Sequence, residues 1–375
     1  MTPLLRAARR AGNRIAAAAL EGVVRTAAAV SPRLPAPPGE PRSIFVLRND
    51  DVGDLLVATP LFDALRRRFP EARIAAGVGS WNRDVLLGNP HLSEVLPVNA
   101  PWFNKYQARA GPLGRLSYLR SSPEVRAVAD RRFEVGIDVL GSAWGSLLLL
   151  AAGIPYRLGV RGYAGGHSAV HQAVSFDPSE HVGRSALRFA ELLGATDLPP
   201  VRPQVFLTPE EIEDAERWWA AAETEGRRRR IVIAPGGGLP EKRWPAESFA
   251  AVAAGLPDAS LLVLGGLKED DLVARVVAST GARCFESPPD LRKFFALLVP
   301  SDLLVTNSSM PLHAAAAFGR PSVVLLGESF PSARQHQAQW GYPGLSVSLG
   351  KEPGVRGRLW TAAEALDVIR QELAA

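Results

Sequence analysis

At 375 residues, 47% hydrophobic and 22% charged, the chain has the size and composition of a two-domain globular protein, not of a fibre or a disordered segment. Its one cysteine, Cys284, excludes an internal disulfide framework or an all-cysteine metal cage and fits a reducing cytoplasm. The formal charge of +5 comes without an arginine-and-aromatic stripe, which argues against nucleic acid and for phosphates or anionic lipid as partners.

Met1–Val30 holds Arg6, Arg9, Arg10, Arg14 and Arg25 against a single acid, Glu21, with apolar residues at roughly helical spacing. Its longest apolar run, Ile15–Leu20, falls far short of the ~20 residues that span a bilayer. Three readings compete: a helix lying on an anionic membrane surface, a targeting segment, and an ordinary packed helix. The proline-rich stretch Ser31–Arg42 reads as a linker.

From Ser43 strands and helices alternate. SIFVLR is a buried strand, LLVATPLFDALRRRFP an amphipathic helix, RIAAGVG a strand, WNRDVLLGNP a short helix and EVLPV a strand. Lys105–Leu119 reads as a mobile loop, FEVGIDVL as a strand and SAWGSLLLLAAG as a helix. Arg157–Ser168 reads as a further loop, followed by the helix HVGRSALRFAELLGA. The pattern resets near Pro199–Leu207. Thr208 caps a helix with Glu210 and Glu211 in its first turn, and strands IVIAPGGG, SLLVLGG, DLLV and VVLLG then alternate with helices to the final WTAAEALDVIRQEL. Such alternation specifies parallel sheets covered by helices on both faces.

Three stretches carry candidate chemistry. In Arg48–Pro60, RNDDVGDLLVATP, a strand gives way to a helix at the carboxyl end of a sheet, where open α/β folds bind ligands. Gly53 supplies a tight turn there. Asp54 is either a general base or a plain helix cap, and Asp50 and Asp51 add acidity without a His or Cys at metal-ligand spacing. In PGGGLPEKRWP, Gly236, Gly237 and Gly238 admit close backbone approach and Lys242 offers charge to a phosphate, while Arg243 and Trp244 pack or cap the next helix. Glu269 is a ribose acceptor or a solvated first-turn acid. In Asn307–Gly319, NSSMPLHAAAAFG, residues Asn307, Ser308, Ser309 and Met310 open a helix whose free N–H groups form an anion site, with His313 one turn in.

Taken together, RNDDVGDLLVATPLFDALRRRFP, GNPHLSEVLPV, HVGRSALRFAELLG, KRWPAESFAAVA, LGGLKED and VTNSSMPLHAAAAFGRPSVVLLG resemble glycosyltransferase family 9, the ADP-heptose:lipopolysaccharide heptosyltransferase family. The resemblance runs from about Ser43 to the C-terminus. It implies a GT-B fold, with two Rossmann-like domains facing across a cleft and a final helix crossing back to the first. The domains are then residues 43–205 for the acceptor and 206–355 for the nucleotide sugar, preceded by 1–42 as basic helix and linker and followed by 356–375 as the crossing helix. It also implies Asp54 as catalytic base, Lys242 on the diphosphate and Glu269 on the ribose. The family pattern D-[ST]-G-x-x-H falls on Ser308–His313. Its Asp, a contact to the donor sugar's hydroxyls, is Ser308 here, and its Gly is Met310.

The expected activity is an inverting, metal-independent transfer from a nucleotide-diphosphate sugar to a glycan or glycolipid acceptor, with no cofactor. It takes place in the cytoplasm, with the inner face of the membrane as a further partner. A non-catalytic nucleotide-sugar-binding protein and a nucleotide-sugar epimerase are the alternatives.

Overall fold

Runs such as Ser43–Leu47 and Leu303–Thr306 are buried along their whole length, as strands covered by helices on both faces must be. The computed structural model describes residues 17–34, 36–222, 229–266, 268–278, 280, 283–284 and 290–374. They divide into two units. One holds the described residues up to Arg83 with Pro90–Asp177 and Arg184–Pro200; the other holds Asp84–Asn89, Pro178–Gly183 and the chain from Val201.

The first unit is built on a six-stranded parallel sheet of β1 (Ser43–Leu47), β2 (Arg73–Val78), β3 (Glu94–Pro97), β4 (Val135–Asp138), β5 (Tyr156–Arg161) and β6 (Gln172–Ser175), in the order β3-β2-β1-β4-β5-β6. The helices of this half are α1 (17–29), α2 (Val52–Ala58), α3 (Pro60–Arg68), α4 (Pro112–Ser121), α5 (Pro123–Asp130), α6 (Ala143–Ala151) and α7 (Val182–Leu192). Strand β1 pairs with β2 on one side and β4 on the other, so the direction of winding reverses between β1 and β4. Loops leaving the carboxyl ends of such strands diverge and open a crevice.

Three sequence expectations differ from the structure. The helix expected through LLVATPLFDALRRRFP is two helices, because Pro60 has no N–H to continue the ladder and Thr59 Oγ1 bonds back to the Leu56 carbonyl at 2.7 Å. Within the expected loop Lys105–Leu119, helix α4 begins at Pro112, and Asn104 orders the preceding turn by donating to the Ala100 and Trp102 carbonyls. The expected loop Arg157–Ser168 begins as strand β5, where buried Arg157 donates to the Ala169, Ile154 and Pro32 carbonyls. Its charge is thereby solvated by main chain.

In the described part of the N-terminal segment, Val24 and Ala28 of α1 lie in the first unit's core, as the packed-helix reading expects. The Glu21 carboxylate accepts from Gly166 N at 2.6 Å, Ser168 N at 2.9 Å and Ser168 Oγ at 2.6 Å. Burial works against the Glu21 charge, but these bonds prevail and hold its pKa below the ordinary carboxylate range. The stretch read as a linker is tied down too, with Leu34 N donating to the Pro155 carbonyl at 3.1 Å. Arg6, Arg9, Arg10 and Arg14 lie outside the described residues.

The second unit repeats the plan with β7 (Arg229–Ala234), β8 (Ala259–Val263), β9 (Arg283–Cys284), β10 (Leu303–Thr306), β11 (Ser322–Leu325) and β12 (Ser346–Leu349), in the order β12-β11-β10-β7-β8-β9. Its helices are α8 (Pro209–Ala222), α9 (Ala246–Ala254), α10 (Asp270–Ala278), α11 (Leu291–Leu298), α12 (Met310–Ala317), α13 (Ala333–Trp340) and α14 (Ala362–Ala374). Thr208 caps α8 as the sequence predicts: Glu211 N donates to Thr208 Oγ1 while Glu211 Oε2 accepts from Thr208 N at 2.7 Å. Trp219 is buried and anchors α8 on α11 by donating Nε1–H to the Leu297 carbonyl at 3.0 Å.

Ala365 and Ile369 of α14 are buried in the second unit's own core beside Phe249 and Val252, and Arg370 donates to the Gly255 carbonyl behind α9. Strands β6, β9 and β12 and helix α13 have no counterpart in the sequence reading.

Candidate active site

The β1–α2 turn lies at the first sheet's switch point. Asp51 is the N-cap of α2 in extended geometry, and Asp54 sits in the first helical turn. Asp54 is therefore not the cap, and its side chain keeps 32% exposure. Gly53 is an ordinary residue of α2 and supplies no left-handed turn, which corrects the reason given for it from sequence.

Arg48, which the sequence reading left without a role, organises this turn from beneath. Its Nη2 donates to Asp54 Oδ1 at 3.2 Å, its Nε donates to the Asp54 carbonyl at 3.2 Å, and Nε lies 3.1 Å from Asp50 Oδ1. Burial disfavours the guanidinium charge, but Asp50 and Asp54 outweigh it and its pKa is raised. Burial pushes the Asp50 carboxyl well above its ordinary range, with Arg48 pulling against it and Asp54 adding to it. One arginine thus serves two carboxylates, of which the buried one favours its neutral form and the exposed one faces solvent.

The surrounding loops complete this end of the sheet. Trp81 Nε1 and Asn82 Nδ2 both donate to the Asp50 carbonyl, at 2.8 and 3.0 Å. Trp81 stacks on Tyr106 with ring centroids 5.0 Å apart, and Lys105 Nζ stands 4.0 Å from Asp51 Oδ2. Asp138, at the end of β4, is also absent from the sequence reading. Burial pushes its carboxyl up to about 6 even though backbone N–H groups of Ser142, Gly141 and Leu140 donate to it. A Cβ at Gly145 would lie 2.2 Å from Asp138 Oδ2, so only glycine lets α6 approach that carboxylate.

The second sheet presents four loops at the carboxyl ends of β7, β8, β10 and β11. Asn307 is buried and bonded at both ends of its amide: Oδ1 accepts from Trp244 N at 2.7 Å, while Nδ2 donates to the Pro235 and Gly236 carbonyls at 2.6 and 3.0 Å. It fixes the glycine turn. Glu269 is no solvated acid. Oε1 accepts from Gly237 N at 2.9 Å and Oε2 from Gly266 N at 2.7 Å, leaving further lone pairs on both oxygens. A Cβ at Gly236 would stand 1.9 Å from Glu269 Oε2, so glycine here lets Glu269 keep this position.

Arg243 donates Nε and Nη2 to the Gly237 carbonyl at 2.9 and 2.6 Å, bracing the turn from its other side as expected of a packing residue. Gly238 and Lys242 are exposed. Lys242 closes a 3-10 turn at Pro240–Lys242, and its ammonium stands 6.0 Å from the Phe330 ring centroid. The β11 loop is pinned to this turn by Gly327 N donating to the Lys242 carbonyl at 3.2 Å and Ser329 N to the Glu241 carbonyl at 3.1 Å.

Helix α12 begins at Met310 with Ser309 as an extended N-cap whose side chain makes no capping bond. Pro311 occupies the first turn, where its missing N–H costs nothing. His313 is buried, with Nδ1 2.7 Å from Tyr342 Oη. Burial, then neighbouring His181 and His336, push its pKa down to about 3, so it is neutral at physiological pH. His336 on α13, missed from sequence because α13 itself was missed, lies 2.7 Å through Nε2 from Ser308 Oγ.

Among the described residues, no group of three or more His, Cys, Asp or Glu is placed to hold a metal ion. No helix among them is long and apolar enough to cross a membrane.

Residues 125–339 match the family model described as Glycosyltransferase family 9 (heptosyltransferase). The chain is 25% identical over 308 residues to lipopolysaccharide heptosyltransferase 2 of Escherichia coli K12, an alignment covering 77% of this chain and 83% of that protein. Among solved structures it resembles the glycosyltransferase family 9 protein of Veillonella parvula, with a TM-score of 0.71, 21% identity and coverage of 89% of this chain and 97% of that one. It also resembles the ADP-heptose lipopolysaccharide heptosyltransferase II of E. coli, with a TM-score of 0.68, 21% identity and coverage of 88% and 98%. The architecture is the GT-B fold of two Rossmann-like domains. The chain therefore belongs to glycosyltransferase family 9 and is a glycosyltransferase.

Proposed function

We propose that this protein moves a heptose or related sugar from a nucleotide-diphosphate donor, ADP-heptose, to a hydroxyl of a lipopolysaccharide-type or other glycan acceptor, with inversion and without a metal. The observation that carries the reading is Asp54: a part-exposed carboxylate at the carboxyl end of β1, held by a buried arginine and free of the helix-capping role. In the reaction Asp54 takes the proton of the acceptor hydroxyl as its oxygen attacks the anomeric carbon. The bond from that carbon to the diphosphate breaks on the opposite face, and its electron pair leaves with the diphosphate.

The leaving diphosphate is stabilised by Lys242 and by the free N–H groups at the start of α12, from Ser309 and Met310, dipoles arranged before the reaction begins. Glu269 keeps lone pairs for the ribose hydroxyls while its bonds to Gly237 and Gly266 fix its position. Neutral His313 supports α12 through Tyr342 and brings no charge to the phosphates. At the first sheet, the Trp81–Tyr106 stack with Asp51 and Lys105 beside it suits the flat faces and hydroxyls of a sugar acceptor. The donor is inferred from the named relatives, which act on ADP-heptose and lipopolysaccharide.

Calorimetry with ADP, UDP, GDP and dTDP sugars, with and without magnesium, tests this. Selective, magnesium-independent binding of ADP-heptose is expected. Selection of another nucleotide sugar would overturn the heptose assignment, and no binding by any of them would overturn the transfer reading altogether.

A further inference from the structure

Ser308 stands one residue before the cap of α12, at the switch point of the second sheet, beside the glycine turn that Asn307 holds. A serine hydroxyl ordinarily rotates to donate or accept as its neighbour requires. Here the neighbours remove that choice, and the chain of bonds that removes it can be followed from its far end.

Gln337 directs one end of its amide at the Ser346 carbonyl, 2.9 Å away. A carbonyl only accepts, so that end is the NH2 and the other is Oε1. Ser348 Oγ lies 2.7 Å from this Oε1 and must give it its single hydrogen. Ser348 Oγ is then left to accept from His336 Nδ1, 2.8 Å away, which fixes the Nδ1–H tautomer. His336 is 3% exposed with Phe330 edge-on to its ring, and burial, with Lys242 adding to it, pushes its pKa down to about 4; the imidazole is neutral near pH 7. A neutral ring carrying hydrogen on Nδ1 has a bare Nε2. That nitrogen takes the Ser308 hydroxyl proton across 2.7 Å.

We infer that the His336–Ser348–Gln337 relay makes Ser308 Oγ an acceptor-only oxygen, and that this oxygen reads a hydroxyl of the donor's sugar instead of its phosphates. Phosphate oxygens offer no hydrogen to an acceptor-only group, whereas a sugar hydroxyl donates to it readily. A carboxylate at this place would have the same acceptor character but would set a negative charge near the diphosphate; serine with a neutral imidazole behind it does not. His336 is then a positioning residue that acts through Ser308. The inference rests on the nucleotide-sugar reading of the second unit.

The relay has a signature independent of any ligand. Long-range nitrogen–proton NMR of histidine-labelled protein, with the His336 signals assigned by their loss in His336→Gln, is expected to show hydrogen on Nδ1 and none on Nε2. Hydrogen on Nε2 would overturn the inference. The second arm compares affinity for ADP alone with affinity for ADP-heptose, or for whichever nucleotide and nucleotide sugar the wild type selects. Ser308→Ala and His336→Leu are each expected to weaken the sugar-bearing ligand about 3- to 10-fold, the scale of one hydrogen bond, and to leave the bare nucleotide unchanged. His336→Gln, whose Oε1 can still accept the Ser308 proton, is expected to stay near wild type. Equal losses on both ligands, or none, would overturn the inference. Failure of the underlying function would look different: the wild type would bind no nucleotide sugar, whichever tautomer His336 adopts.

Discussion

The two sheet switch points share one topology and differ in their electrostatics. At the first, Arg48 is buried among Asp50 and Asp54, with Asp138 close enough to raise its pKa as well, so the site is assembled from charges whose protonation matters. At the second, the main-chain turns are fixed by Asn307, Glu269 and Arg243, and the buried histidines are neutral. The lesson is one of suitability. A proton acceptor must titrate and must be held so that it does so usefully. A phosphate cradle works best from fixed dipoles that do not change with pH.

Asp54→Asn is expected to lower transfer about 10²- to 10⁴-fold, the range for loss of a general base, while nucleotide affinity measured by calorimetry stays put. Near-normal turnover would remove Asp54 from the chemistry. Arg48→Met strips the counter-charge from Asp50 and Asp54, and urea unfolding is expected to show a loss of about 3 kcal/mol. Proton uptake by Asp50, whose pKa is already raised, limits the loss; a change under about 1 kcal/mol would mean the arginine does not hold this turn.

Opposite pH slopes would sharpen the contrast. Asp138, raised to about 6 from 3.8, binds more protons folded than unfolded between those values, so its contribution to stability falls as pH rises through that window. His313 and His336, lowered to about 3 and about 4 from 6.5, behave the other way: their contribution is present above 6.5 and is lost as pH falls toward their folded values. Region-resolved hydrogen exchange between pH 6.5 and 4.5 is expected to show the α12–α13 region weakening by about 2 kcal/mol per histidine, while the β4–α6 turn firms. Weakening of both regions alike would contradict the assignment. The smallest effect is expected of Lys242→Ala, about 3- to 10-fold in nucleotide affinity, because the lysine is exposed and its attraction is screened. Unchanged affinity would take Lys242 out of the site.

Strands β1–β4, β7, β8, β10 and β11 were legible as apolar runs, and Thr208 with Glu211 announced α8. Asp54, Glu269 and the α12 turn were singled out through their places at strand–helix junctions. Arg48 and Asp138 were passed over because one closes and the other follows an apolar strand, where burial of a charge is not visible until its partner is. Helix α13, ARQHQAQW, is mostly polar with little apolar stripe, so His336 went with it. Strand β5 was lost to Gly159 and two arginines, since nothing in sequence reveals that Arg157 finds carbonyls at Ala169, Ile154 and Pro32. The terminal helix was plain from its periodicity, while the surface that receives Ala365 and Ile369 is a tertiary fact.

The central claim is a single displacement in which Asp54 deprotonates the acceptor. The most direct measurement is proton NMR of the anomeric centre in the product formed from a nucleotide sugar of known configuration. Inversion relative to the donor is expected. Retention would require two successive displacements at that carbon and would contradict the account.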